Sequence, residues 1–224
     1  FTTSTTTTAK GPVLLCGFNR CGTLSLHDFF WANKVKSIHY GYGRLTSTIY
    51  DNHENSRPLI SEEYKIYSVF CDMENIYDPR GPIYGHRLFK EFAEQYPDSK
   101  FILNTRDKER WIASRCKHVD PANGRTYVEV LSERLNMSQD ELIASWSKEW
   151  DEHHTAVIAY FNENGRSADL LVFDIERDPI ERVCTFFKDR LGIILDPSKY
   201  KHLHKTAEDS AHKRAKTDPR LSLV

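Results

Sequence analysis

The sequence predicts an α/β domain of three layers, in which a central parallel sheet of about five strands carries helices on both faces. Short apolar runs alternate along the chain with longer amphipathic stretches, and strands that are apolar throughout are typical of a parallel sheet covered on both sides. The 224 residues suit one domain, expected to span residues 11–206. The Thr-rich residues 1–10 are expected to be a flexible tail or a remnant of truncation, and the polar residues 207–224 a second tail.

Each element follows from its local pattern. Continuous apolar runs predict the five strands, at 13–18, 35–40, 67–71, 100–104 and 170–173. Apolar residues at helical spacing predict the five helices between and after them, at 23–33, 84–96, 108–118, 139–163 and 179–191. The last helix begins at Pro179, since proline is favoured in a first turn. His153 and His154 lie inside one predicted helix without a partner at metal-ligand spacing, which indicates a solvated helix face.

The composition excludes several classes of protein. The 31 basic and 32 acidic residues leave a net charge of −1, unlike a protein that coats polyanions, so no nucleic-acid partner is expected. No stretch approaches the ~18 consecutive apolar residues of a membrane span. The five cysteines show no CxxC pair or zinc-ribbon spacing. This favours free thiols, no bound metal and a reducing, cytoplasmic location.

A glycine-containing loop follows the first predicted strand and opens the first helix. Gly17 and Gly22 have the GxxxxG spacing of a P-loop, in which backbone N–H groups and a helix N-terminus hold phosphate, so a P-loop-type fold is expected. Thr23 replaces the lysine that contacts the β- and γ-phosphates of a nucleoside triphosphate. The cation of this loop is Arg20 instead. The alternative interpretation is an ordinary strand-to-helix turn with a surface arginine.

A second motif follows the fourth predicted strand. Arg106 leaves the end of that strand and Ser114 comes eight residues later, two helical turns on if the intervening segment is a helix. A guanidinium and a hydroxyl can then hold a second phosphate from one side. The alternative is that Asp107 caps the helix and Arg106 forms a surface ion pair.

Together the two motifs resemble those of the sulfotransferase family. Residues 17–26 are similar to the GLPRTGTTSL-like loop of a small subgroup, and residues 96–107 to its YPDAKFILTTRD-like segment. The order of elements matches over roughly residues 12–195. The resemblance implies transfer of a sulfuryl group from 3′-phosphoadenosine 5′-phosphosulfate, without a metal, to a hydroxyl or amine of a small-molecule or glycan acceptor.

The resemblance also implies the donor-binding residues. The 3′-phosphate would be held by Arg106 and Ser114, and the 5′-phosphosulfate by the first loop. The residues of that loop are Asn19, Arg20, Cys21, Gly22, Thr23, Leu24 and Ser25. Asn19, Cys21 and Leu24 depart from the family pattern, which has Pro, Ser or Thr, and Thr at these positions. Leu24 lacks a hydroxyl that could bind the 5′-phosphate, which leaves this role to the remaining hydroxyls and the backbone.

Three side chains are expected to carry the chemistry. Arg20 would stabilise the departing phosphate by charge, because arginine does not donate its proton near neutral pH. Asp72 follows the third strand and is the preferred general base, while His39, at the end of the second strand, would orient the acceptor. The reverse assignment stays open, as do the structural readings of a helix cap for Asp72 and a hydrogen-bonded loop histidine for His39. Glu74 and His53 are less favoured candidates.

The acceptor side is less well determined. Four tyrosines after the strands either line an aromatic pocket or pack structurally: Tyr40, Tyr42, Tyr77 and Tyr84. A basic C-terminal segment either folds over the donor or is a solvated tail, and its residues are His202, His204, Lys205, Lys213 and Arg214. Two other functions remain as alternatives, a P-loop nucleotide or small-molecule kinase and a non-catalytic nucleotide-binding protein.

Overall fold

The computed structural model of the chain describes residues 11–120 and 124–201. This part contains seven strands: β1 (Val13–Leu15), β2 (Ser37–His39), β3 (Val69–Cys71), β4 (Glu74–Asn75), β5 (Ile83–Tyr84), β6 (Lys100–Thr105) and β7 (Leu170–Asp174). Five of them form one sheet in the order β2-β3-β1-β6-β7, and every neighbouring pair in it is parallel. The predicted parallel sheet is confirmed.

The strand order creates a switch point beside the central strand β1. After β1 the chain fills the positions of β2 and β3 on one side, and it then crosses to β6 and β7 on the other. Leu14 of β1 pairs with Phe70 of β3 and with Phe101 of β6. Ligands of open α/β sheets bind outside the carboxyl ends of the strands at such a switch, so this edge is the expected place for a site.

Helices cover the sheet. The described residues form seven α-helices: α1 (Thr23–Ala32), α2 (Arg44–Glu54), α3 (Phe89–Gln95), α4 (Lys108–Cys116), α5 (Tyr127–Leu135), α6 (Gln139–Glu163) and α7 (Glu181–Leu191). Asp107 caps α4 by accepting a hydrogen bond from the backbone N–H of Arg110 at 3.0 Å. Capping boxes at Thr126 and Ser138 begin α5 and α6.

Apolar clusters pack these helices against both faces of the sheet, because successive side chains of a strand point to opposite sides. One cluster joins α2, α3 and α6 to the first face and includes Leu14, Leu45, Phe92, Phe101 and Val157. Another joins α1 and α7 to the second face and includes Leu15, Phe30, Ile102, Val183 and Phe187. A third cluster packs α4, α5 and the first half of α6 around Phe18 and Trp111. Phe18 belongs to the loop after β1, so this cluster supports the predicted phosphate loop directly.

The segment before α3 differs from the sequence prediction. The predicted helix at 84–96 begins late, since Tyr84 belongs to β5 and a 3-10 turn at Gly85–Leu88 precedes α3. β5 pairs antiparallel with β4, and the N–H of Gly85 donates to the carbonyl of Met73 at 2.7 Å. The first apolar residues of this segment therefore belong to a short hairpin, and the later ones belong to the helix. Helices α2 and α5 were not predicted.

The interpretation of the adjacent histidines as a solvated face is wrong. His153 is 8% exposed, and its Nε2–H donates to the carbonyl oxygen of Cys16 at 2.7 Å. His154 donates from Nδ1 to the carbonyl of Trp150 at 2.8 Å, and its Nε2 accepts from the hydroxyl of Thr105 at 2.9 Å. Both imidazoles face inward because α6 lies across the sheet beside the loop after β1, where they join α6 to β1 and β6.

Further expectations concern thiols, metals and membranes. All five cysteines are free thiols. Within residues 11–120 and 124–201, no group of three or more His, Cys, Asp or Glu side chains is arranged to hold a metal ion. None of the helices in the same residues combines the length and the apolar character required to cross a bilayer. The predictions for residues 1–10 and for the basic C-terminal segment from His202 to Arg214 lie outside the described residues.

Candidate active site

The carboxyl edge of the sheet brings together the residues that the sequence predicted for binding and chemistry. The loop after β1 carries Arg20, β2 ends at His39, Asp72 directly follows β3, and Arg106 directly follows β6. These positions come from four neighbouring strands of one parallel sheet. Residues as distant in the chain as Arg20 and Arg106, which are 86 positions apart, therefore share one edge of the fold because parallel strands end on the same side.

Left-handed backbone conformations gather at this edge. The φ angles are 62° at Arg20, 61° at Tyr40 and 53° at Asp72. A residue with a Cβ adopts such angles rarely, and the surrounding structure must hold it there. Strained positions of this kind are concentrated in functional sites, and here each occurs in or next to a predicted site residue.

The two glycines of the first loop are required by close packing. A Cβ on Gly17 would collide with the backbone oxygen of Asn104. Gly22 has a φ of 73° at the N-terminus of α1, and a Cβ there would lie 2.9 Å from Cγ2 of Ile175. No side chain of the described residues caps this N-terminus. The first N–H groups of a helix lack intrahelical partners and attract an anion.

Asn104 clamps this loop from inside the sheet. Its side chain is fully buried, and its Oδ1 accepts from the backbone N–H of Gly17 at 3.0 Å. Its Nδ2 donates to the carbonyl oxygens of Phe18 at 3.2 Å and Cys21 at 3.1 Å. One amide group therefore holds both ends of the loop. A polar residue inside a buried strand was the available sequence signal, because such a group needs partners.

Two further side chains hold the remaining carbonyls of the loop. The indole N–H of Trp111 donates to the carbonyl of Asn19 at 3.0 Å, and Nη1 of Arg106 donates to the carbonyl of Arg20 at 3.2 Å. The four consecutive carbonyl oxygens of residues 18–21 are thus all bound by side chains of β6, α4 or the turn between them. The oxygen end of each peptide dipole is engaged by the protein, which favours an anion on the N–H side of the loop.

The two predicted phosphate motifs meet at Arg20. Its Nε donates to the hydroxyl of Ser114 at 3.3 Å, while its carbonyl accepts from Arg106. Burial lowers the pKa of Arg20, with Asp72 opposing this shift and the charge of Arg106 adding to it. Arginine nevertheless keeps its charge near neutral pH. The motifs therefore form one cationic site rather than two separate ones.

Glu176, which sequence reasoning missed, forms an ion pair with Arg106. Its Oε1 accepts from Nη2 of Arg106, and its Oε2 lies 3.5 Å from Nη1 of Arg110. Glu176 follows β7 and stands 70 residues from Arg106 in the sequence. The ion pair and the Asp107 cap that were considered as alternatives to a phosphate site are both present, although the pair is largely buried, with side chains 19% and 16% exposed.

His39 contacts both the first loop and the predicted base. Its Nε2 lies 3.1 Å from Oγ1 of Thr23 and 3.3 Å from Oδ2 of Asp72. Residue Cys71 pairs with His39 in the sheet register, which brings the next residue, Asp72, beside the imidazole. Thr23 begins α1, so Nε2 of His39 contacts both the N-terminus of this helix and the carboxylate of Asp72.

The protonation of this pair is set mainly by burial. Burial lowers the pKa of His39 to about 4, and nearby Asp28 acts in the opposite direction, so the imidazole is neutral near neutral pH. Burial raises the pKa of Asp72 to about 6, against the opposing effect of Arg20 and Arg115. A carboxylate with a raised pKa is a stronger base than an ordinary aspartate and remains ionised near neutral pH.

A buried ion pair supports the loop from below. Arg115 donates from Nη1 to Oδ1 of Asn19 at 2.9 Å and from Nη2 to Oε1 of Glu74 at 2.8 Å. The hydroxyl of Tyr127 donates to the same Oε1 at 3.1 Å. Arg115 and Glu74 are each 2% exposed. Glu74, a less favoured base candidate, therefore belongs to a structural network that joins the loop after β1 to the β4–β5 hairpin.

The other predicted residues divide between the loop core and the surface. In the loop, Cys21 and Ser25 are buried and Leu24 is half-buried. His53 is exposed in the last turn of α2. The predicted tyrosines do not behave alike: Tyr84 is 7% exposed, whereas Tyr42 and Tyr77 are 53% and 39% exposed and Tyr40 is half-buried. The burial of Tyr84 fits the second of the two alternatives for these tyrosines, structural packing.

Comparison with known proteins agrees with this arrangement. A family model described as a sulfotransferase domain matches residues 12–192. A search of curated protein sequences gave no match to the chain. The matched residues run from the start of β1 to the end of α7 and include the loop after β1, His39, Asp72 and Arg106. Because the match spans most of the chain, this protein belongs to the sulfotransferase domain family.

Proposed function

We propose that the protein transfers a sulfuryl group from 3′-phosphoadenosine 5′-phosphosulfate to a hydroxyl or amine of a small-molecule or glycan acceptor. The observation that carries this proposal is the contact between the two motifs. Arg20 donates to Ser114 at 3.3 Å and accepts from Arg106 at 3.2 Å. A donor with phosphate groups at both its 5′ and 3′ positions needs two anion subsites that are fixed relative to each other, and the contact between the motifs supports such an arrangement.

The residues at the sheet edge fit such a donor. The carbonyls of residues 18–21 are bound by side chains, so the loop and the N-terminus of α1 present N–H groups to the 5′ end. Thr23 would add a hydroxyl to this subsite. The 3′-phosphate would be held by Arg106 and Ser114, since a guanidinium suits the geometry of a phosphate.

The proposed reaction needs charge stabilisation and a base. The acceptor oxygen or nitrogen forms a bond to sulfur while the bond from sulfur to the phosphate oxygen breaks, and the acceptor loses one proton. Arg20 would stabilise the negative charge that grows on the departing phosphate. Asp72 would take the proton, and neutral His39 would donate its Nε2–H to the acceptor in place of its present contact with Asp72. The 3.3 Å separation of His39 and Asp72 lets one acceptor group reach both.

Calorimetry with two nucleotides tests the donor class. We expect 3′-phosphoadenosine 5′-phosphate to bind without Mg²⁺, and ATP with Mg²⁺ to bind far more weakly, because Thr23 stands where a kinase P-loop has lysine. Preferential binding of ATP·Mg²⁺ would instead favour a kinase. Incubation with donor labelled in its sulfuryl group and a panel of phenols, alcohols, amines and sugars then tests transfer. A donor-binding protein that transfers label to none of them would contradict the catalytic part of the proposal.

A further inference from the structure

The predicted 3′-phosphate subsite already contains an anionic side chain. The backbone N–H of Glu176 donates to Oδ1 of Asp174 at 2.9 Å, which turns the chain after β7 toward α4. The carboxylate of Glu176 then pairs with Nη2 of Arg106. Its side chain is 16% exposed, so the pair is shielded from solvent more than an ordinary surface ion pair.

The protein already engages both terminal nitrogens of the Arg106 guanidinium. Nη1 donates to the carbonyl of Arg20 at 3.2 Å and Nη2 to Glu176. Nε is buried and has no hydrogen-bond partner among the residues that the structure describes. A carboxylate and a phosphate compete for the same face of a guanidinium. A 3′-phosphate can therefore reach Arg106 only by displacing Glu176 or by sharing the cation with it.

We propose that Glu176 is a specificity-determining residue of the donor site, which occupies the 3′-phosphate subsite until a 3′-phosphate displaces it. This inference rests on the proposed function. A phosphate monoester carries close to two negative charges near neutral pH, against one for a carboxylate, and it offers three acceptor oxygens. Nucleotides that lack the 3′-phosphate cannot make this exchange. When such a nucleotide binds, Glu176 stays paired with Arg106, and the nucleotide makes no contact with that cation.

Arg110 provides the displaced carboxylate with a second partner. Its Nη1 lies 3.5 Å from Oε2 of Glu176, and its side chain is 69% exposed. Glu176 can thus move outward toward solvent while it keeps one cation, which lowers the free energy of displacement. This exchange requires rotation of side chains only, since Arg106 remains bound to the carbonyl of Arg20.

The test compares two nucleotides that differ only in the 3′-phosphate. Calorimetry would give the affinities of 3′-phosphoadenosine 5′-phosphate and of adenosine 5′-phosphate for the wild-type protein, Glu176→Gln and Glu176→Ala. Both substitutions are expected to tighten binding of the bisphosphate by about tenfold, because the subsite is open for a larger fraction of the time. Binding of adenosine 5′-phosphate is expected to stay within about twofold. Glu109→Gln removes one charge from an exposed position on α4 and should change neither affinity by more than about twofold.

Several results would overturn the inference. An unchanged ratio of the two affinities, or weaker bisphosphate binding in both variants with thermal stability unchanged, would show that Glu176 only orders Arg106. If both variants unfold, Arg110→Gln is the alternative test. This substitution removes the second cation near Glu176, so Glu176 should bind Arg106 more tightly and the affinity for the bisphosphate should fall several-fold. An unchanged ratio of the two affinities in Arg110→Gln would contradict the inference. If neither the wild-type protein nor any variant bound the bisphosphate, the proposed function and this inference would both be contradicted.

Discussion

His39 and Asp72 lie side by side at the ends of two neighbouring parallel strands, with 3.3 Å between Nε2 and Oδ2. The sheet register pairs His39 with Cys71, so the two side chains meet because Asp72 extends its strand by one residue. The left-handed backbone of Asp72, with a φ of 53°, ends β3 at this point. The carboxylate proposed as the base and a hydrogen-bonding imidazole are therefore held together next to the loop after β1 by the geometry of the sheet itself.

Asp72→Asn should abolish most of the chemistry and leave donor binding nearly unchanged. The amide keeps the shape of the carboxylate but cannot take a proton, so turnover should fall by about 10²–10⁴-fold. Single-turnover measurement with labelled donor, once an acceptor is known, gives this rate, and calorimetry gives the affinity for the bisphosphate product.

His39→Ala provides the matching control for these roles. If His39 orients the acceptor, its loss should raise the KM for the acceptor more than it lowers turnover. Near-normal chemistry in Asp72→Asn together with collapse in His39→Ala would reverse the two assignments and make His39 the base.

The activity should fall on the acid side of neutrality. Burial raises the pKa of Asp72 to about 6, and a base acts only when it is deprotonated, so turnover should decline as the pH falls below about 6 and level off above it. A pH–rate profile of the wild-type protein measures this midpoint. Burial raises the pKa of the neighbouring Glu74 to about 7, so protonation of Glu74 is an alternative cause of a fall in activity at acid pH. Persistence of the midpoint in Glu74→Gln and its loss in Asp72→Asn would support Asp72, and the reverse pattern would contradict it.

The positions of the main site residues could be predicted from the sequence, because they are tied to strand ends. A buried parallel strand is a continuous apolar run, and the residue that follows it faces the ligand-binding edge. Asp72 and Arg106 directly follow their strands, His39 is the last residue of β2, and Arg20 lies in the loop after β1. Short elements, and elements that pack mainly against neighbouring segments, give a weaker pattern in the sequence. For this reason β4, β5 and α5 were not predicted.

The supporting residues could not be assigned from the sequence, because their partners are remote. Asn104 contacts Gly17 across 87 residues, and Arg115 contacts Asn19 across 96 residues. A polar side chain in an apolar run shows only that some partner exists. Glu176 gives no comparable signal, since it lies in a polar segment after β7 and is placed beside Arg106 by the pairing of β6 with β7.

Asn104→Ala should weaken both the fold and the donor site. It removes the partners of the Gly17 N–H and of the Phe18 and Cys21 carbonyls, and leaving such buried groups unpaired should lower the free energy of unfolding by about 2–4 kcal/mol. Urea denaturation measures this loss, and calorimetry should show weaker binding of the bisphosphate. Asn164 is an exposed asparagine at the end of α6, and Asn164→Ala should change stability by no more than about 0.5 kcal/mol. Equal effects of the two substitutions would contradict the role of Asn104 as a clamp.

Arg106→Ala should weaken binding of the bisphosphate by about 2–4 kcal/mol, since it removes a charge-assisted contact to phosphate. Ser114→Ala should have a smaller effect of about 1 kcal/mol, because it removes one neutral hydroxyl. Calorimetry measures both. The contact of Arg106 with the Arg20 carbonyl implies that Arg106→Ala also loosens the 5′ loop, so binding of adenosine 5′-phosphate should weaken as well, though by less. Wild-type affinities in both variants would exclude the assigned 3′-phosphate subsite.

Arg115→Met should destabilise the protein in a way that depends on the pH. The substitution leaves Glu74, which is 2% exposed, without its cation, and an unpaired buried charge lowers the free energy of unfolding by about 3–5 kcal/mol. Burial raises the pKa of Glu74 to about 7 while Arg115 opposes the shift, so the pKa should rise further in the variant.

The carboxyl of Glu74 in Arg115→Met then binds its proton more tightly in the folded than in the unfolded protein. Relative to the wild type, the destabilisation should be complete above the folded pKa of Glu74 in the variant. It should decrease as the pH falls toward about 7, the folded value in the wild type, because Glu74 is protonated in both folded proteins below that pH. Urea denaturation of wild type and variant between pH 5 and pH 8 measures this trend. Glu74→Gln in the same background removes the buried charge, and it should recover part of the stability at pH 8 and flatten the pH dependence. A loss of the same size at every pH, unaffected by Glu74→Gln, would instead assign the role of Arg115 to its packing against the rings of Trp111 and Trp146.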